Sequence, residues 1–189
     1  MKDVVLDIVK HTAGLGFIEN IKVTGTNDST KLEAMDPDRT VILNAQLHAP
    51  AGDMVGEFGM GNLGFLNGVS NLPNYKDDGA TVEVTRRERN GEDHPESLIF
   101  KDPEGNKDQY RFMSKQIVEQ TMKTVTFKGA SWNVTIEPAK AKVTELQQVA
   151  SIYGSIEPTF NVKTEEGDLV FTVGSPDGGL SGRRTFARN

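Results

Sequence analysis

Gly56-Glu57-Phe58-Gly59-Met60-Gly61-Asn62-Leu63-Gly64-Phe65-Leu66-Asn67-Gly68-Val69 is the stretch on which the fold turns. Its spelling Gly59-x-Gly61-x-x-Gly64 is that of a dinucleotide-binding fingerprint, where glycines let the backbone approach a pyrophosphate at a helix N-terminus. The same residues read as a short, glycine-interrupted helix with Phe58, Leu63, Leu66 and Val69 on one stripe. The first reading gives a nucleotide-binding enzyme. The second gives one packed helix in a β-rich module. A fingerprint needs a buried strand directly before it, a helix after it and an acidic residue about 20 positions on. Here the strand pattern of residues 40–48 is cut off by Ala49-Pro50-Ala51-Gly52-Asp53. Gly68 weakens the following helix by ~1 kcal/mol relative to alanine. Asp77 and Asp78 lie in a turn, and no parallel strand–helix–strand alternation surrounds the stretch. The packed helix is the better reading.

Upstream, residues 3–13 carry Val5, Ile8, Val9 and Thr12 on one helical face, and Gly14 is a candidate left-handed stop. Residues 17–24, 31–35 and 40–48 alternate as strands, separated by the turn chemistry of Gly25-Thr26-Asn27-Asp28 and Asp36-Pro37-Asp38. Downstream, residues 80–87, 97–101 and 108–113 form a strand meander, with a loop expected over 90–95. Residues 117–130 read as a connector, and 132–136 as a further strand. Residues 143–153 are the clearest helix, with Leu146, Val149, Ala150 and Tyr153 on one face, a capping-box spelling Thr144-x-x-Gln147, and Gly154 as the stop. Strands follow at 159–162, 169–173 and 183–187.

The two helices repeat. Leu6, Val9 and Gly14 match Leu146, Val149 and Gly154 at one constant offset, and each helix is followed by strand, turn, strand, turn, strand. The first unit then continues into the glycine stretch and the meander.

The chain has 189 residues, room for one ordinary domain or two small ones. Lysine and arginine number 21 against 27 acidic residues, leaving a net charge of −6, which argues against a simple basic nucleic-acid binder. A charge sum does not exclude a positive field confined to one surface. The absence of cysteine excludes disulfides, cysteine-bound metals and thiol nucleophiles. No signal peptide and no membrane-length apolar run are read, so a cytoplasmic location is expected.

A helix, three strands, a second helix and a meander, repeated along the chain, resembles the processivity-clamp fold. It is most similar to the trimeric sliding clamps of T-even-type bacteriophages. The residues that carry the resemblance are 2–10, 41–69 and Lys142-Val143-Thr144-Glu145-Leu146-Gln147-Gln148-Val149. It implies an α+β protein with a first clamp domain at 1–116, a connector at 117–130 and a second domain at 131–189. That second domain is expected to be C-terminally incomplete, lacking its second helix and closing strands. It implies a non-enzymatic homotrimeric ring that encircles double-stranded DNA without sequence preference. The ring would tether a replicative DNA polymerase and be placed by a clamp loader.

The resemblance also nominates residues. Lys2, Lys10 and His11 on the first helix, with Lys140 and Lys142 at the second, are the expected DNA-facing groups. Ile117, Val118, Met122 and Val125 are the expected pocket for partner peptides. No cofactor, metal or catalytic constellation is expected, because His11, His48 and His94 are scattered and no paired carboxylates recur. Two other readings of the chain are a β-rich phage structural or assembly protein, and an enzyme using the glycine stretch for a nucleotide.

Overall fold

The computed structural model describes residues 1–38, 40–89, 91–122 and 129–188. It is mixed α and β, with every described strand pairing antiparallel. The chain divides into two compact units, Met1–Phe127 and Lys128–Asn189.

The first unit opens with α1 (Lys2–His11), followed by β1 (Ile21–Gly25), β2 (Thr30–Met35), β3 (Ile42–Gln46) and β4 (Gly56–Met60). Then come α2 (Leu63–Ser70), the single turn α3 (Pro73–Lys76), β5 (Thr81–Arg89), β6 (Glu92–Lys101), β7 (Lys107–Arg111), the short β8 (Met113–Ser114) and α4 (Lys115–Thr121). One sheet runs β3-β2-β1-β4-β8 and another β5-β6-β7. The core fills the space between them. Val5, Ile8 and Val9 of α1 and Leu63, Leu66 and Val69 of α2 meet Ile21, Val23, Phe58 and Met60 of the first sheet and Val82, Leu98 and Phe100 of the second. Phe58 and Phe112 join the sheets with ring centroids 4.4 Å apart.

The second unit holds α5 (Lys140–Tyr153), β9 (Phe160–Glu165), β10 (Asp168–Ser175) and β11 (Leu180–Ala187), in sheet order β11-β10-β9. This is the order in which β3-β2-β1 follow α1. Val9 and Val149, matched by the repeat, are 2% and 6% exposed; Val9 is buried together with Val5 and Ile8, and Val149 is the buried residue of α5. β9 ends its sheet among the described residues, whereas β1 in the same place is flanked by β4.

Several expectations change. The glycine stretch is not one helix: Gly56–Met60 is strand, and the helix begins only at Leu63 after Asn62 takes a left-handed φ of 53°. Glycine's low helix propensity leaves those five residues free to be captured by β1. The expected loop at 90–95 is mostly strand, since β6 starts at Glu92 opposite Arg89. Lys115–Thr121 is helix where a connector was expected to begin. Residues 132–136 form no strand. α5 starts at Lys140, so Thr144 lies inside it and its Oγ1 donates to the Lys140 carbonyl instead of capping. The left-handed residue after α1 is Gly16, with φ 80°, and Gly154 is right-handed.

Candidate functional site

Two of the three glycines of the fingerprint spelling, Gly59 and Gly61, are spent on packing, while a Cβ at Gly64 would meet nothing within 4 Å. A side chain at Gly59 would meet Val118 Cγ2 at 2.5 Å and Met113 Cε at 2.7 Å. One at Gly61 would meet Asn20 Oδ1 at 2.9 Å. The Gly61 carbonyl accepts the hydroxyl of Tyr110 at 2.5 Å, and burial pushes that phenol well above its ordinary pKa. At the start of α2 the Leu63 N–H donates to the Glu19 carbonyl at 3.1 Å, so this orphan donor is already used. The strand before the helix is antiparallel to both neighbours, unlike the parallel unit a dinucleotide site is built on.

The five expected DNA-facing residues have different lives. Lys2 Nζ donates to the carbonyls of Lys76 at 3.0 Å and Asp77 at 2.6 Å, closing the end of α3. Lys10 is exposed. His11 Nδ1 lies 2.9 Å from the Asp7 carbonyl and 3.2 Å from its carboxylate. The outward side of α1 thus carries Asp3 and Asp7 beside Lys10 and His11, close to neutral. On α5, Lys140 is exposed and Lys142 is paired with Glu145 at 3.0 Å.

The expected peptide pocket is also divided. Val118 is fully buried and anchors α4 on β4, whereas Ile117 is 45% exposed. Val125 lies outside the described residues. Of the three described residues, Met122 alone lines a groove of about 330 Å³. The opposite wall is the face of the first sheet turned away from the core. Strand alternation sends Leu32 and Ala34 inward and Glu33 and Met35 outward. Register places Lys22 opposite Glu33, Glu33 opposite Asn44, and Met35 opposite Ile42, so these side chains form rows across three strands. Glu19, Gln120 and Thr121 complete the rim. The turn after β2 is fixed by Asp36. Its carboxylate accepts the Val41 N–H at 2.6 Å and the Thr40 hydroxyl at 2.8 Å, and those bonds hold it below the usual aspartate range.

The outer-sheet wall of this groove was missed by sequence reasoning. Its signal was Met35, an apolar residue on the polar phase of an alternating strand.

A second hollow, of about 320 Å³, lies where Arg87, Arg89 and Arg111 converge on Glu96 at 3.1, 3.6 and 3.4 Å. Glu57 and Lys115 also line it, paired at 2.9 Å. Charge there is largely compensated within the protein.

Among the described residues, no group of three or more histidine or carboxylate side chains is placed to hold a metal ion, and no helix is long and apolar enough to cross a membrane. The chain matches no protein-family model, and no curated protein matches it significantly.

Proposed function

We propose that this chain is a sliding-clamp subunit of the bacteriophage type: a ring component that encircles duplex DNA and tethers a polymerase, with no chemistry of its own. The observation that carries the reading is the repeated succession of one helix and a three-stranded antiparallel meander, α1-β1-β2-β3 and α5-β9-β10-β11, with Val9 and Val149 buried at equivalent places. The low net charge of α1, with Asp3 and Asp7 offsetting Lys2 and Lys10, agrees with it. A ring held by topology needs few strong phosphate contacts, because each one adds to the salt dependence and would brake sliding. In this reading Lys10, Lys140 and Lys142 supply a weak attraction to the duplex. The groove beside Met122 receives the polymerase and loader peptides.

The test is mass in solution together with polymerase stimulation. A ring former gives a trimer of about three times 20.7 kDa, a closed symmetry that needs only one kind of interface. With its loader it lengthens synthesis on primed circular DNA, and it slides off when the DNA is linearised. A strict monomer that neither stimulates synthesis nor stays on circular DNA overturns the reading.

A further inference from the structure

The groove beside Met122 has an apolar floor and an unbalanced charge. Met35, Ile42 and Met122 supply the apolar surface, and Glu19 and Glu33 stand on the rim. Among the described lining residues Glu19, Glu33 and Asp36 stand against one cation, Lys22. Lys22 lies directly across from Glu33 in the β1–β2 register, yet its Nζ turns the other way and pairs with Glu57 at 2.7 Å. Glu57 is also paired through its other oxygen with Lys115 at 2.9 Å. Neither Glu19 nor Glu33 has an ion-pair partner among the described residues. Asp36, at the same end of the groove, has its carboxylate committed to its own turn and stays anionic.

From this charge pattern we infer that the groove selects a peptide carrying a lysine or arginine beside its apolar anchors, with Glu33 as the residue that reads the cation. Apolar contact with Met35, Ile42 and Met122 gives affinity. The carboxylate gives orientation and discrimination, since an acidic peptide would bring like charge against Glu33 and Glu19. The inference rests on the clamp reading only for why a peptide comes. The preference follows from the groove itself.

A random-peptide display library is panned on the immobilised full chain and on its Glu33→Lys variant, and recovered peptides are measured by fluorescence anisotropy. The wild type is expected to enrich sequences with lysine or arginine next to leucine, phenylalanine or methionine. Glu33→Lys should shift that enrichment to aspartate and glutamate. Glu33→Gln, the milder change and the fallback if the lysine variant does not fold, should weaken a recovered basic peptide about two- to fivefold, the range of a partly exposed ion pair. Apolar peptides with no charge preference, or a basic preference that persists on Glu33→Lys, overturn the inference and leave the clamp reading standing. Recovery of no groove-binding peptide overturns it as well. Failure of the mass and polymerase measurements, with the charge switch intact, removes the clamp reading and leaves the groove's preference in place.

Discussion

Gly59 of β4 lies directly beneath Val118 of α4, and the space a methyl group would need is already filled by the valine Cγ2. The helix docks at a position of the strand that has no side chain. Gly59→Ala is therefore expected to destabilise the first unit by about 1–3 kcal/mol, the usual cost of overpacking a filled core. Combined with Val118→Ala it should cost less than the sum of the two single changes, because the second change removes the clash. Urea unfolding of both singles and the double measures this. Strict additivity would mean that α4 is not seated on β4.

Tyr110 and Gly61 give a second measurement. The phenol reaches 49 residues back along the chain to a carbonyl at the exit of β4. Tyr110→Phe keeps the ring in the core and orphans that carbonyl, at a cost of about 1–3 kcal/mol. A thermal melt indistinguishable from the parent would show that the hydroxyl bond adds nothing.

The pair of lysines on Glu57 sets an acid limit. Hydrogen bonds from Lys22 and then Lys115 hold the Glu57 carboxyl below the usual glutamate range. Its folded pKa lies under its unfolded one, so this stabilisation is complete above about pH 4.3 and drains away as pH falls through the lowered value. Lys115 mirrors this at the alkaline end. Glu57 raises its pKa, so its share persists below the ordinary lysine value of about 10.4 and is lost as pH rises through the raised one. Glu57→Gln should flatten the acid limb of a urea-midpoint profile taken between about pH 6 and pH 3. A variant curve that runs parallel to the parent would remove the assignment.

Lys2 and Lys140 separate structural from DNA-facing lysines. Lys2→Met removes the donor to two carbonyls at the end of α3 and should lower stability by about 1 kcal/mol while leaving duplex binding at low salt unchanged. Lys140→Gln should leave stability alone and reduce the slope of log affinity against log salt by up to about 1. The reverse outcome, with Lys2 controlling the salt slope, would exchange their roles.

The elements visible from the sequence were those whose signal is local. α1 and α5 repeat an apolar stripe at helical spacing, and β5 and β7 alternate, so each declares itself within a few residues. α4 did not. Its two apolar residues, Ile117 and Val118, are adjacent and show no period, and its reason to be helical is a gap at Gly59, more than fifty positions away. β4 was hidden by its glycines, which carry no side-chain pattern; its strand state comes from hydrogen bonding to β1. The groove was legible only at Met122, because its two walls come from residues 19–44 and 120–122 and meet only in the fold. The lysines were legible as charges but not as partners. Nothing around Lys2 in the sequence points to carbonyls at 76 and 77.

β9 carries a consequence of another kind. Among the described residues it pairs on one side only, and its Phe160 and Val162 are 49% and 48% exposed. An open strand edge with apolar side chains offers a template to any other unpaired strand it meets. Lys163, tied to Glu165 at 2.8 Å, is the local charge that opposes such zipping. For the second unit, colloidal behaviour in concentrated solution therefore depends on a handful of half-exposed residues around 160–163. A charged residue at Phe160 would make the preparation more forgiving, and loss of Lys163 would make it gel or precipitate sooner.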